Sequence, residues 1–221
     1  MNSYILLAKQ AVENYIKDSN PPSALPLRRA PGKIISPPKD LPEEFFRRKA
    51  GTFVTITKDY NPPTTSSRKR APGELRGCIG TYLPLRNNIA EEIIHNAVAA
   101  ATEDYRFGQV REEELPYLSY TVYILSEPEL IKDISELDPK KFGIIVKTVP
   151  ISYPDGTDPF DKLRASVVFN GHFVAKTGLL LPDLEGVDTV EKQVSIACQK
   201  GGVDSTKEQI LIYKFTVEKY T

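Results

Sequence analysis

The segment ELRGCIGT at Glu74–Thr81 holds two glycines, an arginine and one of the two cysteines of this 221-residue chain. Successive side chains of an extended segment point to opposite faces, so Arg76 and Cys78 share one face and Leu75 and Ile79 share the other. The pattern therefore predicts a strand that anchors Leu75 and Ile79 in a core and presents Arg76 and Cys78 on its second face.

The glycines of this segment indicate a special backbone environment. Gly77 and Gly80 each weaken a strand, and glycines in strands often mark a bulge or a close approach by a ligand or another backbone. A guanidinium near Cys78 would favour the thiolate, which is the form of cysteine that attacks electrophiles. One interpretation is thus a cleft in which Cys78 is reactive or holds a ligand.

A purely structural interpretation of the same residues is also open. Free cysteine is among the most buried residue types and often packs as a small apolar side chain. Gly77 and Gly80 would then serve only a bulge, and Arg76 would pair with an acid such as Glu74 or Glu103. Cys198 lies on the apolar stripe of a late helix, which indicates a structural role.

The spacing of apolar residues and the positions of prolines predict the elements on either side of the segment. They are an opening helix that ends at Asn20-Pro21, a proline-rich connector at about 21–42, a short helix at Glu43–Lys49, a strand at Thr52–Thr57, a polar insertion at Asp59–Gly73 and a helix at Asn87–Glu103. The basic run Arg68–Arg70 within the insertion is open to two interpretations, a contact with an anionic partner or a solvated loop tip.

The sequence of the second half of the chain predicts several strands and one helix. The predicted elements are strands at Leu118–Ile124, Phe142–Val149, Ala165–Phe169 and His172–Ala175, a hairpin turn at Asn170-Gly171, a helix that Asp188 and Glu191 cap and Gly201-Gly202 end, and a final strand through Leu211–Val217. Because helices and strands mix without a regular βαβ alternation, we expect an α+β fold with a mostly antiparallel sheet and flanking helices.

Composition narrows the classes of function. Twenty-nine acidic residues balance 29 basic residues, so the chain lacks the basic excess typical of proteins that bind nucleic acid phosphates. No apolar run approaches the length of a membrane span, and the first residues lack the pattern of a signal peptide. Two distant cysteines are typical of a reducing compartment and match no zinc-binding spacing. We therefore expect a cytoplasmic protein with no membrane segment, no metal and no cofactor.

Leu75–Gly80, read as LRGCIG, resembles the hallmark motif of the AMMECR1 domain family. Further segments resemble the same family, namely Pro37–Pro42, Gly51–Thr55, Asp104–Phe107, Leu118–Glu129 and Gly178–Pro182. The sequence departs from the family pattern in four places, which are Tyr105 in place of proline, the longer stretch Val149–Arg164, the absence of tryptophan, and Lys200-Gly201-Gly202-Val203.

The resemblance implies a single AMMECR1 domain over residues 1–221, with a main lobe and a smaller β-rich lobe at about 127–187. It also implies that the motif lines a cleft between the two lobes. No reaction is established for the family. In many prokaryotes its members are encoded beside, or fused to, a Memo-type protein and a radical-SAM enzyme, so the implied partners are proteins of those two kinds.

Two functions are consistent with these observations. The first is binding of a ligand or a partner through a cleft lined by the Leu75–Gly80 motif. The alternative is an enzyme that uses Cys78 as a nucleophile or redox thiol, with Arg76 binding an anionic group. The candidate residues for either site are Glu74, Arg76, Gly77, Cys78, Gly80, Glu103, Asp104 and Arg106.

The enzyme hypothesis requires a base close to the thiol. His95 is predicted on the polar face of its helix and His172 beside a hairpin turn, and the sequence places neither near Cys78. Glu103 and Asp104 are the other acid–base candidates. Their alternative role is an ion pair with Arg106 or Arg76.

Overall fold

The computed structural model describes residues 2–18, 36–59, 73–149 and 175–221. These residues contain the helices α1 (Ser3–Asp18), α2 (Glu44–Arg47), α3 (Ile89–Thr102) and α4 (Val190–Gly201), and 3-10 turns at Glu112–Tyr117 and Ile134–Glu136. Their strands are β1 (Thr52–Lys58), β2 (Glu74–Thr81), β3 (Leu118–Leu125), β4 (Glu129–Leu130), β5 (Gly143–Thr148), β6 (Thr177–Leu180), β7 (Ile210–Phe215) and β8 (Val217–Tyr220). Among these residues no helix combines the length and apolar character needed to cross a membrane.

The chain divides into two compact units, Met1–Ile124 with Glu218–Thr221, and Leu125–Val217. The sheet of the first unit has the strand order β2-β1-β3-β8, and β1 pairs antiparallel with both β2 and β3. The sheet of the second unit has the order β4-β7-β5-β6 with antiparallel pairs. The predicted α+β fold with mostly antiparallel sheets is thus confirmed.

One face of the first sheet forms the core of its unit. Alternate residues of β1, Val54 and Ile56, are fully buried and belong to the same apolar cluster as Ile93 and Ala97 of α3. The predicted apolar stripe of α3 is therefore the face that packs on the sheet. Asn88 caps this helix by accepting a hydrogen bond from the backbone N–H of Glu91.

A bulge in β2 changes which of its residues reach the core. Ile56 pairs with Gly77 and the next residue, Thr57, pairs with Leu75, so Arg76 is the extra residue. Such a bulge moves the residues beyond it to the opposite face. Leu75 therefore leaves the core face and is 41% exposed, so its predicted role as a core anchor is wrong. Ile79 pairs with the buried Val54, on the core face of the sheet, and packs against the apolar cluster of the first unit as predicted.

The second unit contains its own core, between its sheet and α4. Gly202 ends α4 in the left-handed conformation with φ of 63°, as predicted from the Gly-Gly pair. The predicted cap at Asp188 is wrong by one residue, because the hydroxyl of Thr189 accepts the hydrogen bond from the N–H of Lys192. Cys198 is buried in this core, and burial raises the pKa of its thiol.

Several predicted features lie outside the described residues. They are most of the proline-rich connector, the insertion between Asp59 and Gly73, the strand at Ala165–Phe169, the turn at Asn170-Gly171, and His172. The smaller lobe was expected at about 127–187. The second unit continues to Val217 because β7 pairs with both β4 and β5.

Candidate functional site

The two glycines of β2 make room for neighbouring groups of the protein itself. A Cβ at Gly77 would clash with the backbone carbonyl oxygen of Ala100 in α3, and a Cβ at Gly80 would clash with the ring of Phe53. Both positions thus permit close packing inside the first unit, which matches the expectation of a close approach by another backbone at Gly77.

Cys78 lies on the face of the sheet opposite the core. It pairs with Thr55 of β1, and Thr55 pairs with Thr121 of β3, so the three side chains form one row across three strands. The Sγ atom of Cys78 lies 3.2 Å from Oγ1 of Thr55. The three side chains are partly exposed. Within the described residues, the thiol thus contacts a hydroxyl, which is a weak base.

Asp104 ties the backbone of β2 to the loop that follows α3. Its Oδ2 atom accepts hydrogen bonds from the backbone N–H of Cys78 at 2.8 Å and from Nη2 of Arg106 at 2.7 Å. Its Oδ1 atom accepts from Nε and the backbone N–H of Arg106. The hydrogen bond from Arg106, together with that from Cys78, lowers the pKa of this carboxyl to about 2. The predicted ion pair between Asp104 and Arg106 is present.

Arg106 brings positive charge close to the thiol. Its side chain is 45% exposed, and Asp104 holds two of its three guanidinium nitrogens in place. The hydrogen bond to Asp104 raises the pKa of Arg106, and the negative charges of Asp104 and of ionised Cys78 contribute. Cys78 also acts on Tyr123, whose pKa is raised by burial and then by the charge of the thiolate. Nη2 of Arg106 and the backbone N–H of Cys78 donate to the same oxygen of Asp104, which places the guanidinium near Cys78.

Arg76 is engaged in a different cluster. Its Nε and Nη2 atoms donate to the carboxylate of Glu114, and Nη1 and Nη2 donate to the carbonyl oxygens of Gly108 and Gln109. The hydrogen bonds from Arg76 lower the pKa of Glu114 to about 2. The ion-pair partners predicted for Arg76, Glu74 and Glu103, are wrong. With Nε, Nη1 and Nη2 all donating, the guanidinium of Arg76 holds the loop after α3. The guanidinium that shares an acceptor with the backbone of Cys78 is that of Arg106.

The remaining candidates lie apart from this arrangement. Glu74 is exposed at the start of β2, opposite Lys58, and Glu103 is exposed at the C-terminal end of α3. His95 is partly buried on α3. Within residues 2–18, 36–59, 73–149 and 175–221, no three His, Cys, Asp or Glu side chains are grouped so that they could hold a metal ion.

Two residues of the site were missed from sequence. Thr55 contacts the thiol of Cys78. The alternation of the Thr52–Thr57 strand places Thr55 on the face opposite the buried Val54, and this pattern could have identified it as a surface residue of the site. Glu114 follows Arg76 by 38 residues and belongs to a short 3-10 turn, so no local pattern indicates the pair.

Comparison with known proteins identifies the family. The sequence profile named AMMECR1 matches residues 5–220. The chain belongs to the AMMECR1 family. A protein of Thermotoga maritima is 42% identical over 217 residues, which cover 98% of this chain and 96% of that protein. A crystal structure titled "Uncharacterized Protein PH0010", from Pyrococcus horikoshii, has a TM-score of 0.69 at 29% identity and covers 98% of this chain and 88% of its own.

A second AMMECR1 relative is much longer than this chain. The protein CA_C1420 of Clostridium acetobutylicum is 35% identical over 217 residues, which span 98% of this chain but only 35% of that protein. In that relative, the region that resembles this chain is thus part of a larger polypeptide.

The carboxylate of Asp104 makes the stability of the AMMECR1 chain depend on pH. Because the pKa of this carboxyl is lowered in the folded state, its contribution is complete above about pH 4 and is lost as the pH falls towards about 2. We expect the difference in unfolding free energy between wild type and Asp104→Asn to be smaller at pH 3 than at pH 7. Urea denaturation at both pH values measures it, and an equal difference would contradict the lowered pKa.

Proposed function

We propose that this AMMECR1 chain is a binding module that recognises a ligand or a segment of a partner protein at the Cys78 face of β2. The observation that supports this proposal most is that Arg76 of β2 and both Asp104 and Arg106 of the loop after α3 are already paired within the protein. Asp104 is fully engaged by Arg106 and the backbone of β2, and Arg76 is engaged by Glu114. These contacts tie β2 to the loop after α3, beside the partly exposed side chains of Cys78 and Arg106. A surface that is ordered before binding loses little entropy when it binds.

The surface combines features suited to recognition. A row of small polar side chains, Cys78, Thr55 and Thr121, offers weak donors and acceptors beside a guanidinium whose Nη1 atom, within the described residues, has no acceptor. Tyr123 and Phe53 flank the row and add aromatic surface. Arginine and tyrosine are enriched at the energetic centres of protein interfaces.

Proteins of the Memo type and of the radical-SAM type are the partners we propose, since the resemblance to the family implies both. The length of the Clostridium acetobutylicum relative supports these partners. Its AMMECR1 region is covalently linked to a further polypeptide segment, and such a link keeps two segments at a high effective concentration.

Binding to purified partners tests the proposal. Purified Memo-type and radical-SAM proteins are passed over immobilised wild-type chain and over Arg106→Ala and Arg111→Ala variants. Arg111 is a matched control, because its side chain is 74% exposed and pairs with Glu113 on the surface. We expect at least one partner to bind, with about tenfold weaker affinity for Arg106→Ala, the loss of one charge-assisted contact. Failure of both partners to bind would contradict the proposed partners.

An enzyme that uses Cys78 is the second candidate, and one observation favours it. Nη2 of Arg106 and the backbone N–H of Cys78 donate to the same oxygen of Asp104, so a cationic side chain lies in the neighbourhood of the thiol, as it does in many sites with a reactive cysteine. In this alternative Arg106, rather than Arg76, would bind an anionic group of the substrate. It predicts a thiol that reacts much faster than a free thiol.

A further inference from the structure

Strand β2 lies at the edge of the first sheet, and its outer side carries backbone groups that β1 does not use. The N–H of Cys78 points away from β1, because it donates to Asp104. The pair of Cys78 with Thr55 is thus of the non-hydrogen-bonded type, and so is the pair of Gly80 with Phe53 two residues further along. The N–H and C=O of Gly80 and the C=O of Cys78 therefore point outward.

The outward N–H groups of Cys78 and Gly80 differ in whether they have a hydrogen-bond acceptor within the protein. Asp104 accepts from the N–H of Cys78, which blocks the edge at that point. Within the residues that the structure describes, the N–H of Gly80 has no acceptor. Free groups on an edge strand are where an extended segment of another chain adds as a further strand.

The open part of the edge is short, and this argues against a second copy of the chain as its occupant. Pairing of β2 with β2 of another copy would bring two Asp104–Phe107 loops onto the same edge, each already bound to a Cys78 N–H. A short extended peptide can instead pair with Gly80 and pass beside the loop.

The charges and apolar surface near the edge indicate the kind of peptide. Arg106 lies next to the edge, since its Nη2 atom and the N–H of Cys78 bind the same oxygen of Asp104, and its side chain is 45% exposed. The neighbouring Tyr105 is 94% exposed and offers an aromatic ring. An acidic residue beside Arg106 would therefore complement the charge, and an apolar residue would cover Tyr105.

We infer that the outer edge of β2 at Cys78–Gly80 binds an extended peptide segment of a partner, which pairs with the backbone of Gly80 and places an acidic side chain on Arg106. This inference rests on the proposed binding function and specifies the chemistry of the partner.

Selection from a phage-displayed library of random peptides of about seven residues tests the inference. The library is selected on wild-type protein, and an enriched peptide is synthesised and added to 15N-labelled protein. We expect enriched sequences to carry an acidic residue, and the peptide to slow hydrogen exchange of the Gly80 amide by about tenfold or more. The amide of Ile79, which is directed towards β1, serves as a protected internal reference. Arg106→Gln should lose the peptide, and Arg111→Gln should retain it.

The possible contrary results distinguish a failure of the edge inference from a failure of the proposed binding function. Enrichment of no peptide, or protection of amides away from β2, would overturn the inference. Protection of Gly80 that appears without peptide and increases with protein concentration would instead show pairing between copies, which also overturns it. If a purified Memo-type or radical-SAM protein binds while no peptide does, the edge inference fails and the proposed function stands. If neither binds, both fail.

Discussion

Gly77→Ala is expected to destabilise the first unit severely. The new methyl group would clash with the carbonyl oxygen of Ala100, and this backbone atom belongs to α3 and cannot move without shifting the helix. Overpacking of a buried site costs about 1–3 kcal/mol and more where the backbone must move, so we expect a loss of about 3 kcal/mol. Urea denaturation followed by circular dichroism measures the change.

Gly108→Ala is the matched control for this substitution. Among the described residues, no atom lies within 4 Å of a Cβ added at Gly108, and the carbonyl that accepts from Arg76 is kept. We expect its stability to remain within about 0.5 kcal/mol of wild type. A Gly77→Ala protein as stable as Gly108→Ala would show that β2 does not approach α3 as described.

Asp104→Ala is expected to have the second largest effect. The carboxylate accepts hydrogen bonds from the backbone of Cys78 and from Arg106, and its side chain is only 3% exposed. Its removal leaves a backbone donor without its acceptor, whereas the partly exposed Arg106 is rehydrated. We therefore expect a loss of about 2 kcal/mol, the cost of one unsatisfied donor and a discounted charge pair.

Glu103→Ala provides the comparison for Asp104, because Glu103 is the adjacent acid and is exposed at the end of α3. The unfolding free energy of Glu103→Ala should lie within about 0.5 kcal/mol of that of wild type. In a double-mutant cycle with Arg106→Ala, the two effects at Asp104 and Arg106 should be strongly non-additive, since the side chains share two hydrogen bonds. Additive losses would contradict the description of the pair.

Much of the fold could be predicted because local patterns determine it. Apolar residues at helical spacing specify α1 and α3, and the alternation of β1 specifies its buried face. The glycines of β2 indicated a bulge or a close approach, and the structure contains both. Which residue forms the bulge depends on the register with β1, so the exposure of Leu75 was not predictable from the segment alone.

The candidate site was only partly predictable for a related reason. Asp104 and Arg106 are two residues apart, so their pairing is local and was expected. The partner of Arg76 is 38 residues away, and the choice of Glu114 over Glu74 or Glu103 is made by the path of the loop after α3. The distance between Arg106 and Cys78 likewise depends on where that loop meets the edge of β2.

The alkylation rate of the Cys78 thiol tests most directly the proposal that this residue belongs to a recognition surface and is not a nucleophile. Wild-type protein is treated with iodoacetamide at pH 7.5, and mass spectrometry of peptides separates Cys78 from the buried Cys198. We predict that Cys78 reacts no faster than free N-acetylcysteine, because the thiol is only partly exposed and contacts the hydroxyl of Thr55, and because Asp104 offsets the charge of the nearby Arg106. A rate about tenfold or more above that of N-acetylcysteine would indicate an activated thiolate and would contradict the account.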